Sequence, residues 1–180
     1  MFDGDERPAG DEFFFLWVLI AQTRDAVLLA REREYERYGI SNERRAILYI
    51  IQNNGGQTTP VEIARDLFRE LHSVTEMLKR MEKDGLVRRT KGRGRSKVLI
   101  SLTEEGLDVL KQSLHNEIDR NLFSVLTKSE RERLIKYLWK LRGKALQDLG
   151  IPEWRLSLQM DPDDNGIHMN GPRSAVPPGP

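Results

Sequence analysis

In this sequence of 180 residues, one stretch of ten contains six basic side chains. The stretch contains no acidic residue, and its basic members are Arg88, Arg89, Lys91, Arg93, Arg95 and Lys97. Guanidinium and ammonium groups spaced this closely suit the binding of phosphate oxygens. Arg93 and Arg95 alternate with glycines, so the chain can lie flat there, and a narrow minor groove attracts arginine. The stretch therefore predicts contact with a nucleic-acid backbone, with Arg93 and Arg95 entering a groove.

A solvated loop is the plain alternative for the same basic stretch, because basic residues on an edge strand also discourage pairing between sheets. The net charge of the whole chain is only +1, from 29 basic and 28 acidic residues, and it indicates no partner. The positive charge is local, since residues 1–12 and 151–180 are both net acidic. The elements beside the basic stretch must decide between the two interpretations.

Enzymatic and metal-binding chemistry has little support in the sequence. The three histidines, His72, His115 and His168, are far apart along the chain, and there is no cysteine. The absence of cysteine excludes disulfide bonds, cysteine-bound zinc and thiol redox sensing. Gly92 and Gly94 lack the continuation of a dinucleotide-binding loop, and no Walker sequence is present. We predict that the protein is not an enzyme and that it holds no metal or cofactor.

Two helices with strong local signals precede the basic stretch. Thr59 and Pro60 predict a helix start, and Glu62 lies where its side chain can reach back to the cap. This helix ends near Phe68. The next helix carries an apolar stripe at 3-4-3 spacing and closes at Asp84-Gly85. The stripe consists of Leu71, Val74, Leu78 and Met81.

The period then changes to that of strands, in residues 86–90 and 97–102, with 91–96 as a hairpin loop. Two helices joined by a short turn and followed by a hairpin describe a winged helix-turn-helix. Thr103 caps a long helix that we expect to run to about Leu126, and Thr127 opens a last helix. The fold class is thus mostly α with a small β-hairpin wing, an α+β arrangement.

The second helix of the pair is the one that should enter a major groove. Val74 and Leu78 face the core, so polar residues occupy the opposite side and its flanks. These candidate DNA-binding residues are His72, Ser73, Thr75, Glu76, Lys79, Arg80 and Lys83. Glu76 has two interpretations, acceptance of a hydrogen bond from cytosine or pairing with Lys79 or Arg80 on its own helix. For each residue the alternative is an ordinary exposed helix position.

No membrane segment or secretory signal is predicted. The longest apolar run, residues 13–21, has nine residues, whereas a spanning helix needs about 20. Arg24 and Asp25 follow directly, and the first twelve residues are acidic rather than basic. We expect a cytoplasmic protein without a membrane partner.

In four segments the residues resemble the MarR family of bacterial transcription regulators. The segments are Val61–Leu67, Ser73–Thr75, Met81–Val87 and Leu99–Gly106, and the resemblance extends over residues 11–149. The order and spacing of these segments carry it, since no single one would suffice. The resemblance implies a sequence-specific regulator that binds double-stranded DNA as a homodimer, represses from a pseudo-palindromic operator and is released by a small-molecule effector. A winged-helix module for protein–protein contact, without specific DNA binding, is the alternative.

The first helix suits the dimer that the resemblance implies, because residues 13–20 are apolar nearly all round. An intramolecular core is the alternative location for them. Composition predicts a disordered tail at 1–10 and a largely disordered tail at 151–180, since neither segment can bury enough apolar surface. Between them the resemblance implies a dimerisation helix (11–38), the winged helix-turn-helix (39–102) and two C-terminal dimerisation helices (103–150).

Four positions depart from the family pattern. Gly94 replaces an aspartate that normally fixes the arginine matching Arg95. Phe68 and Glu70 occupy the turn between the two short helices, where glycine and an aspartate cap are common. Because Phe68 disfavours a positive φ, we expect the turn to follow a different backbone path. Glu76 replaces a residue that is commonly basic, so the operator sequence cannot be borrowed from relatives.

Overall fold

The computed structural model describes residues 11–92, 98–114 and 117–152. Arg93 and Arg95 lie outside the described residues, as do His115 and His168. Both predicted tails, apart from residues 151 and 152, are also outside. The predictions made for these positions stay predictions.

The described chain is mostly helical and carries one small antiparallel sheet, which confirms the predicted fold class. In chain order the elements are α1 (Asp11–Tyr35), α2 (Asn42–Asn53), β1 (Gln57–Thr58), α3 (Pro60–Asp66), α4 (Leu71–Lys83), β2 (Val87–Lys91), β3 (Val98–Leu102), α5 (Glu104–Leu114), α6 (Ile118–Phe123) and α7 (Lys128–Asp148). A 3-10 turn, Glu36–Tyr38, follows α1 and ends at Gly39 with φ 65°, as the glycine predicts.

The sheet has three strands in the order β1-β3-β2, one more than the predicted hairpin. β2 and β3 pair from Val87 opposite Leu102 to Lys91 opposite Val98. β1 adds Thr58 opposite Ile100 on the other edge of β3. With only two residues, β1 has no alternation that a sequence pattern could display. It fixes the start of α3 against the base of the wing.

The predicted capping box at the start of α3 is confirmed. The Thr59 hydroxyl oxygen accepts from the Glu62 amide at 3.3 Å, and the Glu62 carboxylate accepts from the Thr59 amide at 2.9 Å. The Thr58 hydroxyl donates to the same carboxylate at 2.9 Å. Burial alone would raise the pKa of Glu62, but the hydrogen bonds from Thr58 and Thr59, with Arg65 nearby, hold that pKa below its ordinary value.

The predicted path of the turn after α3 was wrong. Phe68 has a φ of 53°, in the left-handed region that favours glycine. The amide of Phe68 donates to the Arg65 carbonyl at 3.1 Å, and that of Arg69 donates to the Ala64 carbonyl at 2.9 Å. This pair of bonds is a Schellman motif, which requires a left-handed residue at this position whatever its side chain. Glu70 makes no side-chain cap for α4.

The core lies between α2, the α3–α4 pair and the sheet. Its fully buried side chains include Ile47, Leu48, Ile51, Ile63, Leu78, Met81 and Ile100. α5 is held close to the wing through Gly106, where an added Cβ would lie 1.9 Å from the Leu86 carbonyl oxygen. The Thr103 hydroxyl donates to the Gly85 carbonyl at 2.5 Å and accepts from the Gly106 amide at 3.0 Å. These contacts fix the base of the wing against the end of α4.

The single long helix predicted from Thr103 to Leu126 was also wrong. α5 ends at Leu114, and α6 is a separate helix of six residues. Neither glycine nor proline marks the break, so the sequence offers no signal for it. α6 is instead tied to α1, where Arg31 Nε lies 3.1 Å from the Asp119 carboxylate. The predicted capping box of Thr127 and Glu130 at the start of α7 is confirmed.

α1 and α7 leave most of their apolar side chains exposed in the single chain. On α1 these include Phe13, Phe14, Phe15, Leu16, Trp17, Leu19 and Ile20, all at least 45% exposed. α7 buries only Leu146, and Tyr137, Leu138 and Leu141 are exposed. By length and composition alone, α1 is also apolar enough to cross a membrane. The nine-residue run therefore understated the apolar length of this helix.

Candidate nucleic-acid interface

One side of α4 is buried and the other is open. Val74, Leu78 and Met81 are at most 2% exposed and attach the helix to the core. The open side and its flanks carry all seven predicted reading residues: His72, Ser73, Lys79, Arg80 and Lys83 are exposed, and Thr75 and Glu76 are half-exposed. The fold therefore brings together the residues that the sequence pattern selected. Leu71, predicted to share the apolar stripe, is exposed instead.

Glu76 pairs with a residue of its own helix. The Lys79 ammonium donates to Glu76 Oε1 at 2.6 Å, and Arg80 Nε donates to the Glu76 backbone carbonyl at 3.4 Å. The hydrogen bond from Lys79 and its charge lower the pKa of Glu76, which stays ionised at neutral pH. Of the two interpretations of Glu76, the structure of the unbound chain has the intrahelical one.

Ser73 and Thr75 differ in what they can offer a base edge. The Thr75 hydroxyl donates to the Leu71 carbonyl at 2.8 Å, so its proton is used within the helix. The Thr75 oxygen can still accept a hydrogen bond. Ser73 is exposed in the first turn. Ser73 is therefore the better candidate for donating a hydrogen bond to a base.

The wing is joined to α4 by Glu82, which the sequence analysis did not select. Glu82 Oε1 accepts from the Arg89 amide at 3.1 Å, and Glu82 Oε2 lies 4.0 Å from Arg89 Nε. Arg89 is half-buried, whereas Arg88 and Lys91 on the same strand are exposed. Alternation along β2 places Arg88 on the opposite face of the sheet from Arg89. Lys91 shares the face of Arg89 but is exposed at the end of the strand.

Positive charge remains uncompensated on this surface. Glu76 is paired with Lys79, and Glu82 is engaged with Arg89. Within the part of the chain that the structure describes, Lys83, Arg88 and Lys91 form no ion pair. Three unneutralised cations on α4 and β2 suit the phosphate backbone of a duplex.

The far end of α4 is fixed to α2 by an ion pair. Arg44 Nη2 lies 2.8 Å from the Asp84 carboxylate, which follows the last residue of α4. Arg69, in the turn before α4, lies 3.6 Å from Glu43 on α2. Both pairs join residues distant in sequence, so periodicity and capping patterns could not reveal them. They set the orientation of the open side of α4.

A polar junction connects α1 to the unit that carries α4. The amide of Asn42, the first residue of α2, donates to Glu32 on α1 at 2.8 Å. The Asn42 side chain donates to the Leu28 carbonyl, also at 2.8 Å. Beside this junction lies a cleft of about 390 Å³, lined by Leu28, Leu29, Glu32, Ser41, Asn42 and Glu43.

An aromatic contact strengthens the same junction. The Tyr35 ring is fully buried, with the guanidinium carbons of Arg31 and Arg45 at 5.4 and 4.8 Å from its centre. Arg31 Nη2 donates to the Tyr35 hydroxyl at 2.9 Å. Arg31 belongs to α1 and Arg45 to α2, so both helices share this ring. The Tyr35 ring therefore links α1 to the unit that contains α4.

Two comparisons with known proteins place this architecture. The family model described as the MarR family matches residues 40–94, which span α2, the α3–α4 pair and the start of the wing. No curated protein sequence matches the chain. An organohalide-sensing transcriptional regulator, RdhR, solved in a 2,4-dichlorophenol-bound form, is 33% identical, with a TM-score of 0.69. That match covers 81% of this chain and 90% of RdhR.

More distant structures share the fold. A mutant of MarR from E. coli, solved with operator DNA, is 24% identical, with a TM-score of 0.68 over 75% of this chain and 99% of that one. AbsC from Streptomyces coelicolor, a MarR-family regulator, is 20% identical, with a TM-score of 0.69 over 79% and 99%. Together with the identity to RdhR over nearly its full length, these likenesses show that the chain belongs to the MarR family of DNA-binding transcriptional regulators.

Proposed function

We propose that this chain is a sequence-specific, double-stranded DNA-binding repressor that acts as a homodimer on a pseudo-palindromic operator. The observation that carries the proposal is the open side of α4, with its polar first turn and with unpaired cations on α4 and β2. Polar groups near the start of a reading helix contact base edges, and basic groups around them contact phosphates. Arg93 and Arg95 would add minor-groove contacts at the tip of the wing.

The exposed apolar surfaces of α1 and α7 support the homodimer. Large contiguous apolar surface on a soluble chain usually marks an interface. A second copy would cover Phe14, Phe15 and Trp17 on α1 together with Leu138 and Leu141 on α7. A symmetric pair presents two copies of α4, and reading helices separated by about 34–36 Å match successive major grooves.

The cleft beside the α1–α2 junction is our candidate for the site of a small-molecule effector. It lies where α1 meets the unit that carries α4. A ligand there would compete with the Asn42 contacts or reinforce them. RdhR, the relative described above, has been solved with 2,4-dichlorophenol bound. An effector that favours one spacing of the two α4 helices by about 1–3 kcal/mol would change DNA affinity roughly 5–150-fold.

This function requires access to the genome, so we place the chain in the cytoplasm and assign α1 to the dimer rather than to a membrane. Repression follows if the bound dimer occludes a promoter. Neither a catalytic role nor a bound metal is part of the proposal, since its chemistry is carried by hydrogen bonding and charge.

The test is a gel shift of the full chain against fragmented genomic DNA at several salt concentrations. We expect a few fragments to be retained specifically, with affinity falling as salt rises. If no fragment is retained even at low salt, the winged-helix module for protein contact replaces the regulator. Recovery of the chain with membranes would instead give α1 a different role.

A further inference from the structure

Leu71 is an exposed leucine at the first position of α4. It begins the spacing that continues through Val74, Leu78 and Met81. Those three side chains are at most 2% exposed, whereas Leu71 is 45% exposed and does not join the buried core. An apolar side chain placed there leaves nearly half of its surface in contact with water.

The polar surroundings of Leu71 indicate what covers it. His72 and Ser73 follow it in the exposed first turn, and Lys83, Arg88 and Lys91 supply unpaired positive charge on the same unit. These cations favour a polyanion over an apolar protein surface. With DNA as the partner, the N-terminal residues of the reading helix lie against base edges in the major groove.

A leucine can recognise only one feature of those base edges. Its side chain has neither a donor nor an acceptor, so it can bind neither phosphate nor the polar groups of a base. Thymine presents an apolar group in the major groove, the methyl at C5, which cytosine and the purines lack. We infer that Leu71 selects thymine at one position of each half-site by packing against that methyl group. This inference rests on the proposed function.

The backbone at Leu71 is fixed before DNA binds. The Thr75 hydroxyl donates to the Leu71 carbonyl at 2.8 Å, which adds a side-chain bond to the first turn of α4. The turn that leads into α4 is fixed as well, since the Arg69 amide donates to the Ala64 carbonyl at 2.9 Å. A preformed turn fixes the direction of the Leu71 Cα–Cβ bond, so the backbone at this position needs little ordering on binding.

Replacement of thymine by deoxyuridine tests the inference, because the two bases differ only in the methyl group. The full chain first selects its preferred duplex from a random-sequence library. Each thymine of that duplex is then replaced singly by deoxyuridine, and the affinities are measured. We expect one thymine in each half-site to matter, with a loss of roughly fourfold, the value of one buried methyl group. Leu71→Ala should bind the two duplexes equally at that position.

Two further variants complete the design. Leu71→Met keeps an apolar side chain of similar length and should retain the discrimination. Val61→Ala is the matched control, since Val61 is a 59% exposed aliphatic residue at the start of α3. It should leave every thymine-to-deoxyuridine ratio unchanged.

The inference is overturned if the wild-type chain binds all deoxyuridine duplexes as well as the thymine duplex, or if Leu71→Ala keeps the same loss at the same position. Failure of the proposed function is a separate result, because no duplex would then be enriched from the library. Far-ultraviolet circular dichroism of each variant verifies that α4 is formed.

Discussion

The ammonium group of Lys79 lies 2.6 Å from the Glu76 carboxylate, on the open side of the reading helix α4. This pair removes one cation from a surface that we assign to DNA. Glu76→Gln should release Lys79 and remove a negative charge, so affinity for any duplex should rise. The salt dependence should steepen by up to about 0.9 for one added phosphate contact. Binding titrations at four salt concentrations measure both.

Glu132→Gln is the control for this change, because Glu132 also faces a lysine, Lys128, at 4.0 Å, but on α7. It should leave DNA affinity unaltered. Weaker binding by Glu76→Gln, together with a lost preference for cytosine at one position, would contradict the expectation. Glu76 would then be a base-reading residue whose pairing with Lys79 opens on the duplex.

Arg95→Ala should weaken DNA binding and flatten its salt dependence by about one unit of slope for a lost phosphate or groove contact. The reason is the concentration of positive charge in the wing. Lys128→Ala, at a strongly exposed lysine of α7, is the matched loss of one positive charge and should change neither quantity. Equal affinity of Arg95→Ala and the wild-type chain across the salt series would remove Arg95 from the interface.

Acid should weaken the capping box at α3. The pKa of Glu62 is lowered in the folded chain, so its contribution to the free energy of unfolding is complete above the ordinary glutamate value of about 4.3. That contribution is lost as the pH falls through the lowered value. Glu62→Gln should therefore be less stable than the wild-type chain at pH 7, by about 1 kcal/mol for the weakened hydrogen bonds, and the difference should be smaller at pH 3. Urea unfolding at both pH values measures this, and a difference independent of pH would contradict it.

Asn42→Ala should weaken the contact between α1 and the unit that carries α4, while the chain still forms a dimer. The variant loses the bond to the Leu28 carbonyl, at a cost of about 1 kcal/mol. DNA affinity should fall more than this stability loss explains, since the spacing of the two α4 helices depends on the junction. Asn54→Ala is the matched control, because Asn54 donates to Ile50 within the end of the same helix. Equal DNA affinities of Asn42→Ala and Asn54→Ala would show that the junction does not affect the spacing of the two α4 helices.

Phe68→Gly should stabilise the chain. The left-handed backbone at Phe68 costs an ordinary side chain about 1–2 kcal/mol, and glycine avoids this cost. Glycine also has more freedom in the unfolded state, which offsets part of the gain. We expect a net gain of about 1 kcal/mol in the free energy of unfolding. Phe68→Ala keeps the strain and should not share the gain. If alanine stabilises as much as glycine, the strain is not at this backbone position.

Local signals in the sequence predicted the elements that depend on a few neighbouring residues. The capping boxes at Thr59 and Thr127 and the buried side of α4 are of this kind, because their donors and acceptors lie within one turn. The same periodicity predicted that the seven polar candidates lie on the open side of α4 and its flanks, where the structure has them. It could not identify Glu82 as the residue that holds the wing, since that bond joins a helix to the following strand.

The sequence predictions that failed have different physical causes. α6 is separated from α5 and tied to Arg31, which lies nearly ninety residues earlier in the chain than its partner Asp119. The Schellman bonds set the conformation of Phe68 against the preference of its side chain. Leu71 has core spacing but lies at the edge of what the core can cover. Only the break between α5 and α6 involves a partner that is distant in sequence.

Hydroxyl-radical footprinting of the selected duplex, bound by the full chain, tests the central claim most directly. Two equivalent protected half-sites, centred about 10 base pairs apart, are the result that a pair of α4 helices in successive major grooves predicts. A single protected half-site, or protection spread evenly along the duplex, would contradict a paired, sequence-specific regulator.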